Sequence, residues 1–163
     1  MKINSISASK DTEEKLSLAY EESDDFLNLP QNKIGAVCAF CFCDGKFVLV
    51  NNAGKWEPVA GHVEKGESAD SALVREVKEE ANMKVLRHFP LASLYFKDGD
   101  YFMTQYLCIT EPYGDFVFDP DGEVTEIKMV DFYDIPKYFS KGDSSRLTLD
   151  RCKSVLDKIK LIY

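Results

Sequence analysis

Glu76, Glu79 and Glu80 stand three and four residues apart in Arg75-Glu76-Val77-Lys78-Glu79-Glu80. On a helix that spacing gathers all three carboxylates on one face. Like charges so close repel, and the cluster is destabilising unless a cation joins it. Donors that are all oxygen select a hard dication, so Mg²⁺ or Mn²⁺ is expected ahead of zinc. Just upstream runs Gly61-His62-Val63-Glu64-Lys65-Gly66-Glu67. Gly61 and Gly66 permit a tight loop that approaches a ligand closely, and Glu67 falls at the junction of loop and helix. A glycine loop feeding an acidic helix can hold a dication against a polyphosphate. Such a metal bridges phosphate oxygens, polarises phosphorus and acidifies a bound water. The competing reading is an ordinary solvated helix face laced by i,i+4 pairs.

The elements that must carry these residues are legible around them. Ser68–Ala81 reads as a helix, with Ser68 placed to cap it and Ala69, Ala72, Leu73 and Val77 at helical spacing. Ile34–Cys43 is a nearly continuous apolar run, followed across Asp44-Gly45 by Phe47–Val50, a hairpin signal between strands covered on both faces. Val85–Phe96 and Tyr101–Thr110 are further strands joined across Asp98-Gly99-Asp100. Glu126–Phe132 is another, stopped at Ile135-Pro136. Ser145–Leu161 repeats Leu149, Cys152, Val155, Leu156 and Ile159 on one helical stripe. Strands covered on both faces with helices between them imply an α/β/α sandwich with a mixed sheet. Residues 11–22 are expected to form a short helix that ends before Pro30. The chain then reads as one domain over 1–163, with 1–30 as a peripheral helical extension.

Composition narrows the chemistry. With 163 residues, 45% of them apolar and 12% aromatic, the chain can bury a core without disulfides. A net charge of −8 repels nucleic-acid phosphates, so no nucleic-acid partner is expected. A bound dication removes the same objection for a small anionic substrate. The longest apolar run is too short to span a bilayer, so no membrane partner is expected either. The five cysteines are odd in number and the opening segment has no apolar stretch, which together suggest a reducing, cytoplasmic setting. Cys38, Cys41 and Cys43 lack the second ligand pair of a zinc site and read as small apolar side chains inside a strand.

The whole segment from Gly61 to Met83 resembles the Nudix box: Gly, five residues, Glu, seven residues, then Arg-Glu-apolar-x-Glu-Glu-x-Gly-apolar. Eight of the nine specified positions match, and Asn82 replaces the second glycine. That place follows the helix, where a left-handed residue ends it and Asn is the next best choice. By this resemblance Glu76, Glu79 and Glu80 would hold one or more Mg²⁺ ions, and Glu76 would orient or deprotonate the attacking water. Arg75 would pair with Glu67 and fix the glutamate face. The carbonyl of Ala60 would complete the metal shell, although Pro58-Val59-Ala60-Gly61 departs from the family's Pro-Gly-Gly. His62 lies beside the site and reads either as a phosphate contact or as a solvent-facing loop residue. A further carboxylate is expected from a later loop, with Glu123 preferred to Glu126 because it lies outside the strand. The resemblance implies hydrolysis of a phosphoanhydride in a small nucleotide-like substrate, first a nucleoside triphosphate cut to monophosphate and pyrophosphate. Dinucleoside polyphosphate hydrolysis is the alternative, and a non-catalytic nucleotide-binding regulatory domain is a third. Tyr95, Tyr101, Phe102, Gln105 and Tyr106 are candidates for stacking on or reading a base, or are simply sheet residues. A homodimer is compatible with all of these.

Overall fold

Strand β3 (Ile34–Cys43) is buried along almost its whole length, and its two faces belong to different cores. Cys38 and Phe40 face a cluster that includes Leu149, Cys152 and Leu156, whereas Val37, Ala39, Cys41 and Cys43 face one that includes Leu73 and Val77. This two-sided burial is why the strand is apolar without alternation. The computed structural model describes residues 2–7, 17–117, 119 and 122–162. Its strands are β1 (Lys2–Ser7), β2 (Ser17–Glu22), β3, β4 (Lys46–Asn52), β5 (Lys55–Glu57), β6 (Val59–His62), β7 (Met83–Phe96), β8 (Tyr101–Pro112) and β9 (Val124–Val130). Its helices are α1 (Ala69–Ala81), α2 (Ile135–Tyr138) and α3 (Asp143–Ile162).

The strands form one nine-stranded sheet in the order β1-β2-β7-β8-β3-β4-β5, with β6 added to β3 and β9 to β4. Among the described residues only β3 and β8 run parallel, so the sheet is mixed. With α1 on one face and α3 on the other, the result is the expected α/β/α sandwich. One irregularity matters for the site. The edge of β3 away from β8 is divided: Ala36–Ala39 pair with β6, and Cys41–Cys43 pair with β4. The sheet therefore parts between β6 and β4, and Glu57-Pro58 crosses at that point from β5 to β6.

The N-terminal expectation is corrected. Residues 17–22 form strand β2, not a helix, paired with β7 from Leu18↔Phe96 to Glu22↔Ala92. Residues 11–16 of the expected helix lie outside the described residues. The physical reason is tertiary: β7 offers a free edge whose backbone groups need partners, and Tyr20 fills a fully buried place beneath it. Strand β9 starts two residues before the expected Glu126, and α3 starts two residues before Ser145. All five cysteines are buried and free. Because Cys38 faces one core and Cys41 and Cys43 the other, the three do not converge on a metal.

Asn82 ends α1 in the left-handed conformation, at φ 52 and ψ 43. Its N–H caps the carbonyl of Lys78 at 3.0 Å, and its side-chain amide donates to the carbonyl of Asp115 at 2.9 Å. Asn82→Ala is expected to cost about 1–2 kcal/mol, because a Cβ without a local polar partner is strained there. Asn82→Gly should cost less. Urea unfolding of both variants checks the order, and equal stability of Asn82→Ala and the parent would refute it.

Candidate active site

Helix α1 starts from a clean cap: the N–H of Ser71 donates to Ser68 Oγ at 3.1 Å. Ala72, Leu73, Val77 and Ala81 bury one stripe, and the adjoining stripe carries Glu76 and Glu80 into the protein. Both are nearly buried, with 9% and 4% of their surface exposed, unusual for carboxylates. The backbone of β6 receives them. The N–H of Ala60 donates to Glu80 Oε2 at 3.2 Å. A Cβ placed on Gly61 would lie 2.0 Å from Glu76 Cδ, so the glutamate can settle only where the residue beneath it lacks a side chain.

One arginine organises the rim. Arg75 Nε and Nη2 donate to the two oxygens of Glu67 at 2.8 and 3.0 Å, the bidentate fork that suits guanidinium and carboxylate. Nη1 donates to Glu76 Oε1 at 2.8 Å and to Glu79 Oε2 at 3.2 Å, and Nη2 reaches the carbonyl of His62 at 2.9 Å. Glu67 Oε2 also accepts the N–H of Glu64 at 3.0 Å, which closes the loop onto the helix. The hydrogen bond from Arg75 holds the Glu67 carboxyl below its usual range. Glu76 goes the other way. Burial raises it, and Arg75 only partly opposes that.

Among the described residues no arginine pairs with Glu80. Burial, with the charges of Glu76, Asp119 and Glu57 behind it, pushes its pKa up to about 8, against one opposing bond from Ala60. Carboxylate oxygens of Glu80, Asp119 and Glu123 lie within 4.8 Å of one another. An all-oxygen group this tight, with a buried member strained towards neutrality, fits a hard dication. Glu126, by contrast, accepts from Asn51 Nδ2 at 2.9 Å on the exposed surface of β9 and is outside that group.

Two acids escape a reading of the sequence. Asp119 joins the cluster from the loop before β9, where its carboxylate accepts the N–H of Val124 at 3.4 Å and its carbonyl that of Gly122 at 2.9 Å. The only sequence signal is a concentration of Asp and Glu between Asp115 and Glu126. Glu57 sits where the sheet parts, paired with Lys141 Nζ at 3.6 Å. His62 is exposed at the end of β6. The aromatic candidates divide. Tyr106 is buried against Phe26, and Gln105 is buried and bonded to Thr148 of α3 at 2.7 Å. Tyr95 bonds Asp100 and packs on Phe102, while Tyr101 stacks on Phe96.

The raised Glu80 makes a pH prediction. Its folded pKa exceeds the unfolded one, so without metal its ionisation destabilises the fold progressively from about pH 4.5 to about pH 8. Relative to Glu80→Gln, the metal-free parent should lose melting temperature as pH rises through this window. Mg²⁺ should restore most at the alkaline end. Parallel melting curves for the two proteins across the window would refute the assignment.

Solved structures share this architecture. The pyrophosphohydrolase of Bacillus subtilis superposes with a TM-score of 0.68 at 19% identity, covering 92% of this chain and 98% of its own. A C. elegans Ap4A hydrolase gives 0.56 at 20% identity, covering 76% and 98%. A MutT NUDIX hydrolase from Burkholderia pseudomallei gives 0.57 at 19%, covering 71% and 95%. No curated protein sequence matches the chain. The NUDIX domain model matches residues 32–150, a span from the 3₁₀ turn before β3 to the middle of α3. By that match, and with the box helix folded against β6 as described, the chain belongs to the NUDIX domain family.

Proposed function

We propose that this NUDIX hydrolase uses Mg²⁺ or Mn²⁺ to cut a phosphoanhydride bond in a small nucleotide, with a nucleoside triphosphate cleaved to monophosphate and pyrophosphate as first choice. The observation that carries the reading is the convergence of Glu80, Asp119 and Glu123 beside Glu76. Glu76, Glu79 and Glu80 would hold the ion with help from Asp119 and Glu123, and the backbone of Ala60 lies alongside. Bound there, the ion would supply positive charge to phosphate oxygens and lower the pKa of water.

The chain's own groups supply position and proton transfer. Hydrolysis consumes one water: its oxygen forms the new P–O bond, one anhydride P–O bond breaks, and a proton leaves the water. Glu76 is suited to take that proton. Burial raises its basicity above that of a free carboxylate, and Gly61 and Arg75 fix its direction. Arg75 holds three glutamates at once, so it is a positioning residue, as is Glu67. The dinucleoside polyphosphate alternative uses the same cluster and differs only in what lies beyond the scissile bond. A purely regulatory role is disfavoured because every box carboxylate is kept.

Glu76→Gln and Glu80→Gln are each expected to lower turnover of nucleoside triphosphates by roughly two orders of magnitude or more while preserving the circular dichroism spectrum. Activity should disappear with chelator and return with Mg²⁺ or Mn²⁺. Turnover that persists in chelator, or survives either substitution, rules the mechanism out. Glu123→Gln should slow turnover more than Glu126→Gln, and the opposite order would move the extra carboxylate to β9.

A further inference from the structure

Lys128 is placed unlike the ion-paired lysines around it. Its ammonium lies 4.8 Å from the ring centre of Trp56 and 4.6 Å from that of Tyr138, so two aromatic faces flank one cation. Several other lysines meet carboxylates, Lys33 with Asp100, Lys46 with Asp131, Lys137 with Asp134 and Lys153 with Asp157, and Lys78 and Lys160 each lie over a single ring. Glu126, two residues before Lys128 on β9, is taken up by Asn51. Cross-strand pairing fixes the side. Lys128 pairs with Leu49 and Trp56 with Asn51, both of β4, so the lysine and the indole share the sheet face that carries Leu49 and α3.

The slot is linked to the carboxylates through Glu57 and Lys141. Trp56 precedes Glu57, whose charge reaches Glu80 and whose carboxylate meets Lys141. Lys141 in turn lies over Phe139, the residue after Tyr138. Trp56, through its neighbour Glu57, and Lys141 thus join the slot to the place where the sheet parts between β4 and β6.

We propose that Trp56, Tyr138 and Lys128 form the base-reading subsite of this enzyme, and that it selects a purine with an oxo group at position 6, guanine or hypoxanthine, over adenine. The inference rests on the nucleotide reading above and adds the identity of the base. Flat rings on two sides suit a flat ligand, since stacking on aromatic side chains is favourable and tolerant of sequence. Lysine has three donors and no acceptor. Guanine and hypoxanthine offer it two adjacent acceptors, O6 and N7, whereas adenine offers N7 beside an amino donor that faces the ammonium unproductively. Lys128 has a flexible stem, so it can leave the space between the rings and meet the edge of a base that enters it.

The chain has a single tryptophan, so its fluorescence reports on this subsite alone. Trp56 emission should be titrated with guanosine, inosine and adenosine monophosphates without metal, so that no turnover is involved. Guanosine and inosine monophosphates are expected to quench with at least about tenfold lower Kd than adenosine monophosphate, the size of one good edge contact. Lys128→Met should erase the difference, and Lys128→Arg, which keeps donors at that place, should retain it. Equal affinity for inosine and adenosine nucleotides in the parent overturns the proposal, as does no quenching by any of the three. A preference that survives in a folded Lys128→Met protein also overturns it. If Lys128→Met does not fold, the parent's inosine-to-adenosine ratio and Lys128→Arg decide. Because binding is read apart from hydrolysis, a failed base preference leaves the hydrolase reading standing, and a failed hydrolysis assay leaves the binding result intact.

Discussion

Everything at this site follows from the cost of keeping carboxylates out of water. Glu76 and Glu80 are nearly buried, yet only Glu76 receives a guanidinium. Glu80 has one backbone N–H, with Asp119 and Glu123 pressed close. In a protein interior such a group neutralises itself or acquires a cation. The direction of its pKa shows the first response, and the all-oxygen surroundings show what the second requires. With a net charge of −8, the chain would need positive charge at this spot to meet the proposed polyphosphate, and a dication would answer both demands at once.

The sheet makes that burial achievable. Because β3 gives half of one edge to β6 and half to β4, the β6 backbone is free to lie under α1, and its N–H at Ala60 points at Glu80. Gly61 then allows the helix to come close enough for Glu76 to rest on the main chain. The same parting leaves Glu57 and Trp56 at its lip, next to the strand whose backbone meets Glu80. Arg75 fastens the loop 62–67 to α1 through Glu67 and the carbonyl of His62, which fixes the approach of the two parts. A lysine could not replace it, having no planar fork to serve these acceptors together.

Much of this was legible in the sequence because its determinants are local. The helix of residues 68–81, its cap, the left-handed Asn82 and the shared face of Glu76 and Glu80 follow from spacing within a few turns. The two-sided burial of β3 follows from its unbroken apolarity. What escaped depends on partners distant in the chain. Residues 17–22 carry charges at positions that suit a helix surface, but their conformation is set by the edge of β7, whose paired residues lie at least seventy positions away. Strands β5 and β6 are too short to show a period, and β6 exists only because β3 leaves half an edge for it. Asp119 belongs to a loop whose composition marks it as acidic without saying which acid turns inward.

The aromatic candidates show the same boundary from the other side. Tyr106 and Gln105 stand on a central strand, where alternation assigns both faces to cores, so they are occupied by Phe26 and Thr148. The proposed base-stacking rings instead lie where the sheet is incomplete. Trp56 is on the three-residue strand β5 at the end of the sheet order, and Tyr138 is on the single helical turn of α2. Neither stretch shows a periodicity that would single out its ring. What joins them is Lys128, seventy-two positions from Trp56 in the chain and only 4.8 Å from its ring. Base selection is therefore proposed for the ragged end of the sheet, built from short elements, apart from the box helix that carries Glu76 and Glu80.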